Sequence, residues 1–252
     1  MITLASDFGS PYPAAMRGVL ARNTDARLHD VAHDLPRQDV RGSAFWLRFV
    51  LSEFPPAVHL AVVDPGVGTD RDALVVAAGE HRLVGPDNGL LLPAARVLAD
   101  DEDQIRADAA RVDDPASSTF HGRDVFAPLA AAVHERGVTS LRESGRLART
   151  DPVDLQLSEA TRADDGAWHG EVLVVDDFGN AVTNVPGDAL ADADSARVNG
   201  TPAPVVRTFG DVAPGERLVT VGSHGYVECD VTEGRGSEAF GLSAGDAVEL
   251  RL

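Results

Sequence analysis

The chain has 252 residues, with 40 acidic side chains against 22 basic ones and a formal charge of −18. That charge repels phosphate backbones and argues against nucleic acid as a partner, while a hydrophobic fraction of 44% with 25% charged residues argues against disorder. One cysteine, Cys229, forbids an internal disulfide and a cysteine-based zinc cluster.

No apolar run approaches the ~20 residues that span a bilayer, which argues against a membrane partner. Asp7 stands where a signal peptide would carry its basic region, so a soluble, cytoplasmic chain is predicted. Every basic side chain is arginine, and lysine is absent. Arginine in place of lysine fits a GC-rich genome, and the carboxylate excess fits a salt-adapted, halophilic source.

Residues 2–6 are a short apolar run that stops at Asp7-Phe8-Gly9, a strand feeding a turn. Residues 13–21 space Ala14, Met16, Val19 and Leu20 on one helical face, and 28–31 form a second strand. Over residues 40–54, Val40, Ala44, Leu47, Val50, Leu51 and Phe54 recur at intervals of three and four, a helix stopped by Pro55-Pro56. The valine-rich runs 58–63 and 74–78 have no polar face, as expected of strands covered on both sides. Helices are predicted over 90–98 and 125–133. This alternation predicts a three-layer α/β domain over residues 1–160.

The texture changes within the polar stretch 155–166. Short β-type runs follow at 171–176, 196–198, 205–208, 218–221, 225–231 and 247–250. Turn pairs such as Pro186-Gly187, Asn199-Gly200 and Pro214-Gly215 separate them. No long helical period survives, so residues 161–252 read as a small antiparallel barrel or sandwich.

Five polar segments with glycines fall at strand ends: Ser6 to Gly9, Asp64 to Arg71, Gly85 to Gly89, Phe120 to Asp124 and Asp176 to Asn180. Loops at the carboxyl ends of strands build the ligand crevice of an open α/β sheet. Taken singly, each segment is also an ordinary turn. In the second, Pro65-Gly66-Val67-Gly68 turns the chain tightly, so Arg71 can fold back on Asp64 as a carboxylate–guanidinium fork. Such a fork serves either structure or catalysis. His121 stands at a helix entrance and suits proton exchange near neutrality. The other seven histidines, His59, His81 and His134 among them, read as structural or exposed, and Arg123 and Asp124 as loop anchors.

Six ordered segments together resemble the S-adenosylmethionine (SAM) hydroxide adenosyltransferase family, the relatives of fluorinase and chlorinase. They are SDFG at 6–9, VDPGVGTDR at 63–71, GPDNGLL at 85–91, TFHGRDVFAP at 119–128, DDFGNAVTNV at 176–185 and GSHGY at 222–226. The resemblance implies an N-terminal α/β domain, a C-terminal β-barrel that completes the adenine site, and a homotrimer with active sites at subunit interfaces. It implies attack of water or hydroxide on the 5′ carbon of SAM, releasing adenosine and L-methionine, with no metal and no other cofactor. Asp64, Arg71 and His121 fall on the family's water-activating set. Asp7 falls on its ribose ligand, Phe178 and Asn180 on its adenine contacts, and Ser223 on its methionine end. Tyr226 of the same segment is a further substrate contact, His224 replaces an arginine of fluorinase, and Asn88 reads as structural.

Halogenating relatives carry aromatic residues where Asp64 and His121 stand here. A carboxylate beside the nucleophile repels halide, which favours hydrolysis. One departure concerns the loop after SDFG: residues 10–18 number nine where relatives have eleven, and an acid near the methionine moiety is missing. Two other readings remain at this level. One is a metal-dependent hydrolase of a nucleoside-like substrate using Asp7, Asp64, Asp87, His121 and Asp124, although no His-x-His or His-Glu-x-x-His spacing is present. The other is a non-catalytic adenosine- or SAM-binding protein.

Overall fold

The structure, a computed structural model, describes residues 1–110 and 116–252. The chain divides into two units, Met1–Leu157 and Ser158–Leu252.

The first unit holds one seven-stranded sheet. Its strands are β1 (Ile2–Ser6), β2 (Leu28–Ala32), β3 (Val58–Val62), β4 (Ala73–Ala78), β5 (His81–Pro86), β6 (Arg106–Ala110) and β7 (Leu147–Arg149), in the order β2-β1-β3-β5-β4-β6-β7. Strands β2, β1, β3 and β5 are parallel, whereas β4, β6 and β7 pair antiparallel. Helices α1 (Tyr12–Asn23) and α4 (Ala127–Glu143) cover one face, where Met16, Leu20 and Ala130 meet Ile2, Leu4, Leu60 and Val62. Helices α2 (Val40–Leu51) and α3 (Leu92–Leu98) cover the other, where Leu47, Leu51 and Ala95 meet Ala5, Ala61 and Val63. Successive strand residues thus enter opposite cores, which is why the valine-rich runs lack a polar face. The three-layer α/β architecture is the expected one.

Local boundaries moved for identifiable reasons. Helix α2 begins at an Asp39 cap, whose carboxylate accepts from Gly42 N at 2.9 Å. It ends three residues earlier than predicted, where turn bonds from Glu53 N to Val50 O and Phe54 N to Leu51 O tighten the chain before the prolines. Strand β5 was not expected. It forms a hairpin with β4 through a two-residue turn in which Gly79 has φ 53°, and its flanking His81, Gly85 and Pro86 mask the signal.

A buried polar chain crosses this sheet. Thr3 Oγ1 on β1 lies 2.8 Å from His59 Nδ1, and His59 Nε2 lies 2.9 Å from His81 Nδ1 with the two rings stacked. Burial, and then the charge of His81, push the His59 pKa from 6.5 down to about 4. The unfolded chain therefore binds a proton near pH 6.5 that the folded chain refuses until about pH 4. Stability is lost as pH falls through that window, by on the order of 3 kcal/mol in full. His59→Gln keeps an amide in place but cannot titrate. Thermal melts between pH 6.5 and 4 are expected to flatten in this variant, and a wild-type slope would assign the loss to another group.

The second unit holds β8 (Thr161–Arg162), β9 (Trp168–Val175), β10 (Ala181–Pro186), β11 (Ser195–Val198), β12 (Thr201–Pro204), β13 (Arg217–Val221), β14 (Tyr226–Val231) and β15 (Ala247–Arg251), plus the short helix α5 (Gly236–Phe240). Pairing is antiparallel in the order β12-β11-β15-β9-β10-β14-β13, with β8 beside β9. Val205, just past β12, bridges to Val219 on β13 and so links the two ends of that order. The sheet curls into a nearly closed barrel around Val172, Ala181, Val198, Val219, Cys229 and Leu250. The run predicted as a strand at 205–208 contributes only the Val205 bridge; the strand precedes it. Asn199 (φ 47°) and Gly200 (φ 81°) make the hairpin turn, and Pro202 and Pro204 disguise β12, an end strand that tolerates proline. Among the described residues, no helix is long and apolar enough to cross a membrane.

Candidate active site

Strands β1 and β3 are adjacent and parallel, with Ser6 opposite Val62. The turns that follow them, carrying Asp7 and Asp64, therefore emerge side by side. Helix α1 leaves β1 across one face, while α2 leads into β3 across the other, so this is a point where connections diverge and a crevice opens.

Asp64 is fixed from behind. Asn88 Nδ2 donates to Val63 O at 2.9 Å, and Asn88 Oδ1 accepts from Leu90 N at 3.1 Å, a structural use of that amide. The turn then needs glycine: at Gly68 (φ 82°) a Cβ would sit 2.9 Å from the Ser118 carbonyl oxygen. Arg71 returns as the turn predicts. Its Nε donates to Asp64 Oδ1 at 2.6 Å and its Nη2 to Asp64 Oδ2, while the guanidinium lies 4.9 Å from the Phe126 ring centre. The same Nη2 lies 3.0 Å from His121 Nδ1. Because a guanidinium only donates, Nδ1 must offer its lone pair, and in the neutral ring the imidazole proton then resides on Nε2.

His121 is buried and is followed by one wide helical turn, Gly122–Phe126, ahead of α4. Helix α4 therefore starts at Ala127 rather than at residue 125. Within that turn, Arg123 donates to both Asp124 oxygens at 2.6 and 2.8 Å. Those bonds hold the Asp124 carboxyl below its ordinary pKa. Asp87 Oδ1 accepts from Val153 N at 2.8 Å, and burial raises its pKa.

Asp7, Asp64 and His121 line one cleft of about 360 Å³, with Phe8, Tyr12 and Phe120. Sequence reasoning missed Arg37 and Gln38, which line it too. Gln38 N donates to Asp7 Oδ2 at 2.7 Å, and Gln38 has φ 57°, a backbone state with no signature in its residue type.

The remaining candidates belong to the Ser158–Leu252 unit. A pocket of about 600 Å³ is lined by Asp176, Phe178, Asn180, Ser223 and Glu228 among others. Phe178 stands on a turn completed by Gly179 (φ 90°), and the residue is 78% exposed. Asn180 donates from its backbone N to Asp176 Oδ1 at 2.8 Å and from Nδ2 to Asp176 Oδ2 at 3.1 Å. Its side-chain oxygen is then the atom it offers a ligand. Tyr226 is not among this pocket's lining residues; its ring lies 5.9 Å from that of His224, which meets Glu228 Oε1 at 2.8 Å.

Residues 2–145 match the model of the SAM hydroxide adenosyltransferase N-terminal domain, and residues 170–249 that of its C-terminal domain. The chain belongs to the SAM hydroxide adenosyltransferase family. Similar relatives include the (R)-S-adenosyl-L-methionine hydrolase of Salinispora tropica, 41% identical over 261 residues with 99% of this chain and 97% of that one covered. A protein of the same name from Thermus thermophilus is 41% identical over 256 residues, covering 97% of each chain. The crystal structure of a conserved protein from Thermotoga maritima has a TM-score of 0.84 at 32% identity, over 100% of both chains. Among the described residues, no group of three or more His, Cys, Asp or Glu side chains is arranged to hold a metal ion. The carboxylates of Asp87 and Asp124 are engaged by Val153 and Arg123 instead.

Proposed function

We propose that this chain hydrolyses SAM to adenosine and L-methionine, taking the (R)-sulfonium epimer that the names of its relatives specify. The observation that carries the reading is the Asp64–Arg71–His121 arrangement, in which Arg71 joins the two residues that line the cleft beyond the carboxyl ends of β1 and β3. A water oxygen attacks C5′ opposite sulfur. The C5′–S bond breaks with its electron pair moving to sulfur, which leaves as the neutral thioether of methionine, so no acid is needed for the leaving group. The water's proton passes to Asp64, whose oxygens keep lone pairs beyond those given to Arg71. His121 has its Nδ1 lone pair committed to Arg71 and presents Nε2–H, which suits holding the water rather than deprotonating it. Ideal positioning of this kind can lower a barrier by as much as ~7–11 kcal/mol.

Asp7 takes the ribose diol, Phe178 stacks on adenine and Asn180 Oδ1 accepts from its amino group, while Ser223 serves the methionine end and Tyr226 is a further substrate contact. The reaction uses no metal or other cofactor, the enzyme is a cytoplasmic homotrimer, and its active sites lie at subunit interfaces. Family resemblance supports the metal-free reaction, the trimer and the interface sites, the composition supports the cytoplasm, and light scattering reads the trimer.

The test is purified protein with SAM resolved at sulfur, followed by chromatography. Equimolar adenosine and methionine, unchanged by excess chelator, are expected. Activity abolished by chelator would restore the metal-dependent reading. Tight SAM binding without adenosine would make the chain a binding protein, and 5′-chloro-5′-deoxyadenosine formed in chloride would make it a halogenase.

A further inference from the structure

Three aromatic rings beside the water-activating set have no part in it. Phe8 follows β1, Tyr12 opens α1, and Phe120 precedes His121. Their rings stand mutually edge-to-face, with centroids 6.1 Å apart for Phe8–Tyr12, 6.1 Å for Phe8–Phe120 and 5.2 Å for Tyr12–Phe120. All three line the cleft that holds Asp7, Asp64 and His121. Phe8 and Phe120 also rest on the hydrophobic core, so packing accounts for them. It does not account for Tyr12, which is 53% exposed and held at the cleft by the other two rings.

The chemistry of a sulfonium narrows what such a ring can do. A trialkyl sulfonium is a cation without an N–H or O–H, so it cannot be held by donating a hydrogen bond. It is held by carboxylates or by the electron-rich faces of aromatic rings. In this cleft both oxygens of Asp64 accept from Arg71, Asp7 Oδ2 accepts from Gln38 N, and the loop at residues 10–18 has no acid. Neighbouring rings already receive cations: Arg123 lies 5.3 Å from the Phe120 centroid and Arg71 lies 4.9 Å from that of Phe126. Among the described residues, no guanidinium lies over the ring of Tyr12.

We propose that Tyr12, backed by Phe8 and Phe120, is a specificity-determining residue that reads the positive charge of the substrate's sulfonium. The inference rests on the reading of this chain as a SAM hydrolase. It has a kinetic corollary: the charge vanishes when C5′–S breaks, so the ring favours the substrate over both neutral products.

The experiment compares Tyr12→Phe, which keeps the π face, with Tyr12→Leu, which keeps apolar bulk. KM for SAM is measured beside the inhibition constant of S-adenosylhomocysteine, its neutral thioether counterpart, and that of adenosine. Thermal melts confirm that both variants are folded. Tyr12→Phe is expected to stay within about twofold of wild type. Tyr12→Leu is expected to raise KM for SAM by about 5- to 30-fold while leaving both neutral ligands within about twofold. Equal losses for SAM and S-adenosylhomocysteine would show a ring that merely packs on the nucleoside and would overturn the proposal, as would an unchanged KM. If wild type binds SAM without releasing adenosine, the hydrolase reading fails alone, and calorimetric dissociation constants for the same ligands still decide the role of Tyr12. A wild type that does not bind SAM overturns both.

Discussion

Asp64→Asn is expected to lower kcat for SAM hydrolysis by about 10²–10⁴-fold, with KM changed far less. The substitution preserves size but replaces one accepting oxygen with an NH₂ group. That group would face a guanidinium that can only donate, so one arm of the fork is lost along with the acceptor for the water's proton. His121→Ala removes the Nε2–H donor and releases one Arg71 N–H, but leaves the carboxylate in place. Its effect is expected to be smaller, near the lower end of that range. Arg71 links the two, so their effects are expected to be strongly non-additive, the double variant being little worse than Asp64→Asn alone. Stopped assays with chromatographic detection of adenosine measure each rate, and circular dichroism checks folding. If Asp64→Asn keeps near-wild-type kcat while His121→Ala loses it, the proton goes to the histidine and the assignment above is wrong.

Part of this site was legible in the sequence, for local reasons. Pro65 to Gly68 is a turn whatever surrounds it, so a fold-back of Arg71 onto Asp64 follows from seven residues of chain. Asn88, read as structural, does hold a carbonyl at the end of β3. His121 is a different case. It reaches Arg71 across fifty residues of sequence, and no periodicity places it there; only the packing of α1 and α4 on the sheet does, and resemblance supplied what spacing could not. The tautomer of His121 is likewise a fact of geometry. Strand β5 and strand β12 escaped notice because Pro86, Pro202 and Pro204 read as breaks, whereas sheet pairing and burial overrode that local preference. Pro11-Tyr12 resembles the family's Pro-Tyr pair, but the sequence assigns the ring no role, since its significance lies in two rings brought to it by different elements.

Asp230→Ala is expected to stabilise the protein by roughly 4–5 kcal/mol at pH 8 and by nothing at pH 4, where only the cavity cost remains. Asp230 lies on β14 opposite Leu218 of β13, is fully buried, and has no hydrogen-bond partner for either carboxyl oxygen among the described residues. Burial first, and then the charges of Glu228 and Asp176, push its pKa from 3.8 up to about 8. The unfolded chain releases this proton near pH 3.8, whereas the folded chain keeps it until about pH 8. Stability is therefore lost as pH rises through that window, at roughly 1.4 kcal/mol per unit. Alanine abolishes the linkage at the cost of a small cavity, worth on the order of 1 kcal/mol. Denaturant unfolding at pH 4.5, 6 and 8 reads the effect, and a gain independent of pH would show that Asp230 does not titrate in this range. The slope runs opposite to that of His59, which costs stability as pH falls below 6.5. Acid and base thus erode different units of the chain, Met1–Leu157 through a histidine kept neutral and Ser158–Leu252 through an aspartate kept neutral. Combining His59→Gln with Asp230→Ala is then expected to flatten the pH profile on both sides, because each substitution removes a proton linkage that belongs to its own unit alone.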